Sequence, residues 1–186
     1  MEPKKDYYNA TQDAIFDAVA LCLGLDEAGA NAMIRFTTPS GLSQSFEELK
    51  PGENRCYIRM GTTPLGGAWG RDRVYQHVNS GDELIDKTVT VMDGISAMLM
   101  FYGPMAATNA ERVGVMIMED EVRNRLSADE LAPVDLGTAP VWIPELVNGN
   151  WVSRCDLELR FYRLVEYQSK VQAIEELPDI VIRRDR

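Results

Sequence analysis

Basic charge, histidine and long apolar runs are what this sequence has least of. Its 186 residues carry 19 Lys and Arg against 29 Asp and Glu, a formal charge of -10. A tight grip on nucleic acid needs clustered cations that displace counterions from phosphates, so none is expected. An acidic surface can still face DNA without holding it. The single histidine, His77, excludes multi-histidine zinc sites and leaves a Ser-His-Asp or Cys-His mechanism only one base. An ordinary surface or packing role is the expectation for it. Cys22, Cys56 and Cys155 are odd in number, far apart and without a CxxC pair, which indicates free thiols and neither a disulfide framework nor a zinc site. No apolar run approaches the roughly 18 residues that span a bilayer, and the first residues, MEPKKDYYNA, lack the apolar core of a signal peptide. No membrane partner is expected, and the chain is expected to stay in the cytoplasm where it is made.

What is present is an average globular composition, 45% hydrophobic and 26% charged. A chain of this length fits a single domain that buries roughly 70% of its unfolded surface. The expected layout is one domain over 1–186, with an arm at 1–8 and an extended loop or hairpin at 61–83.

The organising stretch is WVSRCDLELRFYRLVE, Trp151 to Glu166. From Cys155 to Phe161 apolar and charged residues alternate, which puts one face of a strand in a core and the other in solvent. The run is longer than a usual strand of about five or six residues, so it needs a partner. Trp151, Leu157, Leu159 and Phe161 are its expected core anchors. On the other face, Arg154, Asp156, Glu158 and Arg160 are candidates for an assembly interface. Arg154 has two open readings: an ion pair with Glu145 or another acidic neighbour, within or between subunits, or a solvated surface arginine.

Ahead of this strand, Asn9 and Gln12 have capping-box spacing, and Ile15, Ala18, Val19, Cys22 and Leu23 share a helix face closed by Gly24. Residues 32–37 read as a short strand and Arg55 to Met60 as another. Leu84 to Met92 and Ile95 to Tyr102 read as two strands joined by an Asp93-Gly94 turn. The second, with Leu99 and Phe101 as core anchors, is apolar on both faces and therefore central. Gly103-Pro104 opens a helix expected from Met105 to Arg125. Ser127 and Glu130 suggest a short helical turn near Leu131, Asn148-Gly149 a turn, and Ile180 to Ile182 a last edge strand. Helix, strands, helix, strands is the order of an α+β protein, an antiparallel β-sheet with two main helices packed on one face.

Catalytic chemistry is hard to find. The glycine-rich GTTPLGGAWG lacks the Gly-Lys-Ser/Thr of a phosphate loop. Trp69, among glycines and close to Arg71 and Arg73, has the composition of a contact patch, and packing beneath the loop explains it equally well. The carboxylate runs, such as Glu119-Asp120-Glu121, read as solvated faces, whereas general acid-base work needs carboxylates in environments that separate their pKa values. The methionines fill core gaps or line an adaptable subunit interface. No cofactor or metal is expected.

Two patterns carry a resemblance: FYGPMAATNAERV at 101–113, a strand running into an alanine-rich helix, and PELVNGNWVSRCDLELRF at 144–161. In that order they resemble the neck or tail terminator proteins of tailed bacteriophages. The resemblance is strongest from Leu84 to Val181. It implies an antiparallel sheet with helices on one side, no catalysis, and a homohexameric ring in the virion neck, between the head connector and the tail tube. DNA would pass through that ring without specific binding. Two alternatives remain at this point, a small carboxylate-dependent hydrolase or nuclease and another head-completion or tube-initiating component.

Overall fold

A computed structural model describes residues 2–3, 6–37, 50, 52–62, 74–79, 84–134, 139–147 and 149–172. Trp69, Arg71, Arg73 and the expected strand at Ile180 to Ile182 lie outside them.

The first helix, α1 (Tyr7–Leu23), starts earlier than the Asn9 signal. Asp6 is the cap, its carboxylate accepting from the amides of Tyr8 and Asn9. Gly24 closes α1 in the left-handed conformation, with φ of 67°. A second helix, α2 (Glu27–Met33), follows under an Asp26 cap and leads into β2 (Ile34–Phe36). β2 pairs in parallel with β3 (Arg55–Thr62), so the sheet is mixed and not purely antiparallel.

The two expected strands around Asp93-Gly94 are one. β5 (Leu84–Tyr102) runs 19 residues without a turn. The reason is its partner, β10 (Arg154–Gln172), also 19 residues long, which pairs with it in one continuous antiparallel register from Arg154↔Tyr102 to Gln172↔Leu84. Within that register Asp93 sits opposite Arg163, and their side chains form an ion pair at 3.5 Å. At a strand rise of about 3.3 Å per residue this ribbon is roughly 60 Å long. The partner that so long a strand requires is thus supplied by the same chain.

Shorter strands line the ribbon. On β5 the far edge carries β3 and β4 (Val74–Asn79), and on β10 it carries β1 (Glu2–Pro3), β6 (Leu131–Val134) and β7 (Val141–Trp142). Residues 2–3 of the expected arm are therefore a strand, and Tyr7 and Tyr8 belong to α1. His77 lies on β4 opposite Lys87. A separate hairpin, β8 (Glu145–Val147) and β9 (Asn150–Val152), precedes β10.

The single expected helix at 105–125 is two: α3 (Ala106–Met116) and α4 (Asp120–Ala128). The acidic pair Asp120 and Glu121 falls in the first turn of α4, where it complements the positive end of the helix dipole better than it would mid-helix. The turn expected near Leu131 is instead β6. Gly103, before α3, has a φ of 102°, and a Cβ there would come within 2.2 Å of the Glu53 carbonyl oxygen. Only glycine fits the corner of Phe-Tyr-Gly-Pro.

One face of the ribbon meets the helices. Ile95, Ala97, Leu99 and Phe101 of β5 and Cys155, Leu157, Leu159 and Phe161 of β10 form one core cluster with Ile15, Val19, Ala110, Val113, Val122 and Leu126. Each large side chain here contributes about 1.5–3 kcal/mol by leaving water. Arg163 and Asp93, paired on this same face, are polar, and the Arg163 guanidinium also donates to the Tyr7 carbonyl and to Thr11 Oγ1.

Candidate assembly interface

The opposite face of the ribbon is mixed, with Met98, Met100 and Tyr102 on β5 and charged side chains on β10, the latter being the interface candidates from the sequence. Arg154 is the hub. Its Nε and Nη2 donate to Asp156 Oδ1 and Oδ2, both at 2.7 Å, a bidentate pair made between alternate residues of one strand. Its Nη1 donates to Glu145 Oε2 at 2.8 Å, and the Tyr102 hydroxyl donates to the same oxygen at 2.7 Å. The guanidinium also lies 5.6 Å from the centroid of the Tyr102 ring. Both partners of the guanidinium are acidic, and the hydrogen bonds it donates to Asp156 raise its pKa still further. Burial alone would raise the Glu145 carboxyl, but hydrogen bonds from Arg154 and Tyr102 overcome it and hold the group below the usual carboxylate range. Burial, with Glu145 as acceptor, pushes the Tyr102 hydroxyl up. The hydroxyl therefore remains a proton donor at neutral pH.

This clamp fastens the β8–β9 hairpin to the sheet. Val147 and Val152 pack on a small second cluster of Tyr57, Met100 and Tyr102, where the Tyr57 and Tyr102 rings meet edge to face at 5.6 Å. In the hairpin register Glu145 opposes Val152 and Leu146 opposes Trp151. Successive side chains alternate, so when Glu145, Val147 and Val152 turn to the sheet, Leu146 and Trp151 turn away from it.

Trp151 is therefore not a core anchor. It is 75% exposed. The alternation within β10 does not continue through it, because the chain leaves the main sheet at Ser153 and Trp151 pairs with β8 instead of β5. The other expected anchors, Leu99, Phe101, Leu157, Leu159 and Phe161, all lie in the main core cluster. Trp142 on β7, not singled out from the sequence, is 68% exposed, and Val141, Ile143 and Leu146 are exposed with it. Trp142, Pro144 and Trp151 line a groove of about 390 Å³, which adjoins a second of about 430 Å³ that also includes Trp151, between Gly103-Pro104 and the hairpin. The signal for Trp142 was a tryptophan between two apolar residues and two prolines in PVWIP, residues 140–144.

Of the interface candidates, Arg154 and Asp156 hold each other and Glu145 within the chain. Glu158 and Arg160 form a second pair at 2.9 Å along the same face, partly exposed. Exposed Tyr162 and Leu164 continue that face. Cys22, Cys56 and Cys155 are buried and unbridged. Burial pushes the Cys22 thiol up to about 12 and raises Cys56 and Cys155 as well, so all three stay protonated and unreactive at neutral pH.

A family model described as phage neck terminator protein matches residues 51–185. The chain belongs to that family. The matched span takes in β3, the whole ribbon, the Arg154 clamp and the exposed tryptophan end, while α1 and α2 precede it. A neck terminator is a structural part of the virion neck, and that is the role of this chain. No curated protein matches it. Among the described residues, no helix is long and apolar enough to cross a membrane.

Proposed function

We propose that the chain works as a single terminator domain over 1–186 and assembles as a homohexameric ring. The ring ends the tail tube, joins it to the head connector and leaves a channel through which DNA passes unbound. The observation that carries this reading is the tryptophan end: Val141, Trp142, Ile143, Leu146 and Trp151 are large apolar side chains exposed together on a protein of formal charge -10. Aromatic side chains presented on a firmly held scaffold are what protein contacts select. The Arg154 clamp holds the hairpin that presents Trp151 and Leu146. A closed ring joins two different patches of each subunit, so only one of them need be aromatic. The acid excess suits a channel, since attraction to phosphate would slow DNA.

The hydrolase or nuclease alternative draws no support from the carboxylates beside the tryptophan end. Glu145 and Asp156 meet on the Arg154 guanidinium, which is what a structural clamp does with them. Mass photometry of the purified protein together with imaging of virions tests the reading. Hexamer-sized particles and density at the head-tail junction are expected. A strict monomer that is absent from virions contradicts it.

A further inference from the structure

A groove of about 590 Å³ lies among α1, α2 and α4 and shares no lining residue with the grooves at the tryptophan end. Its floor is apolar, from Phe16, Leu21 and Leu25, and its rim carries Asp17, Asp26, Glu27 and Glu121. The one cation on the rim, Arg125, is already engaged by Asp17 and Asp129. An apolar floor inside an acidic rim selects an apolar segment flanked by positive charge.

The sequence contains an apolar run with positive charge on its C-terminal side. Residues 180–186 read Ile-Val-Ile-Arg-Arg-Asp-Arg. In an extended chain Ile180, Ile182, Arg184 and Arg186 share one side, two apolar residues followed by two cations. That order matches a floor followed by a rim. Seven residues, 173–179, separate the segment from the end of β10 and span at most about 25 Å.

We infer that residues 180–186 of one copy dock in the α1–α2–α4 groove of a neighbouring copy. The inference rests on the ring reading and supplies the ring with a second, non-aromatic contact. Ile180 and Ile182 cover Phe16 and Leu21, and the arginines meet Glu27 and Glu121. The contact is partly electrostatic and exposed, so it weakens as salt screens the rim.

The test uses two populations of the full chain, one carrying Glu27→Cys and the other Arg184→Cys, mixed and treated with a short bismaleimide. The three native cysteines are buried and do not compete. A covalent dimer formed between the populations is expected, with its yield reduced at least fivefold by Glu121→Lys in the first or by Arg183→Glu with Arg186→Glu in the second. Multimers that form without this cross-link overturn the inference and leave the ring standing. A cross-link found only within a chain carrying both cysteines also overturns it, because the segment then serves its own groove. A protein that is monomeric at every concentration overturns the ring, and the inference falls with it.

Discussion

The two faces of the central ribbon are built from the same strand yet behave as different materials. On the helix side, Cys155, Leu157, Leu159 and Phe161 share one core cluster with β5 and the helices, and their value is stability. On the other side, Arg154, Asp156, Glu158 and Arg160 are engaged in ion pairs, and at the near end the chain peels away into a hairpin that leaves Trp151 in solvent. Apolar side chains on the first face hold the fold together, whereas those at the tryptophan end contribute little to it. Hydrophobicity is thus a poor guide to which residues stabilise this protein; the face a residue occupies decides.

The comparison can be broken by substitution, beginning with the largest effect. Phe161→Ala should cost about 3–5 kcal/mol in a denaturant titration, because the side chain is fully enclosed and its removal leaves a cavity. Arg154→Ala should cost less, about 1–2 kcal/mol: it strands Glu145 and Asp156, but partial exposure lets water replace some of what is lost. Acid should loosen the same clamp. The folded Glu145 has a depressed pKa, so its contribution is complete above the ordinary carboxyl value of about 4.3 and fades as pH falls through the lower folded value. Glu145→Gln should flatten that part of the stability profile, read by thermal melts across pH. Smallest of all, Trp151→Ala should change monomer stability by no more than about 0.5 kcal/mol. Equal losses for Phe161→Ala and Trp151→Ala would erase the distinction between the faces.

The alternation from Cys155 to Phe161 was legible because a strand between helices and solvent writes its two faces directly into the sequence. The Arg154–Glu145 pair was one of two open readings, and the structure makes it within the chain. Other features were hidden by partners distant in sequence. Asp93-Gly94 has the composition of a turn, but the continuous register with β10 overrides it. The acidic run at 119–121 marks the break between α3 and α4, but the same composition fits a solvated helix face. Strand periodicity extended across Ser153 predicts a buried Trp151, but the chain changes sheets there. Nothing local marks that exchange, since it depends on β8 pairing with β9.

The double substitution Trp142→Ala with Trp151→Ala tests the central claim most directly, with chemical unfolding and particle mass measured on the same sample. An unfolding midpoint close to that of the parent protein is expected, together with loss of the assembled ring. A midpoint lowered as far as that of Phe161→Ala, or a ring that forms undiminished, would contradict it.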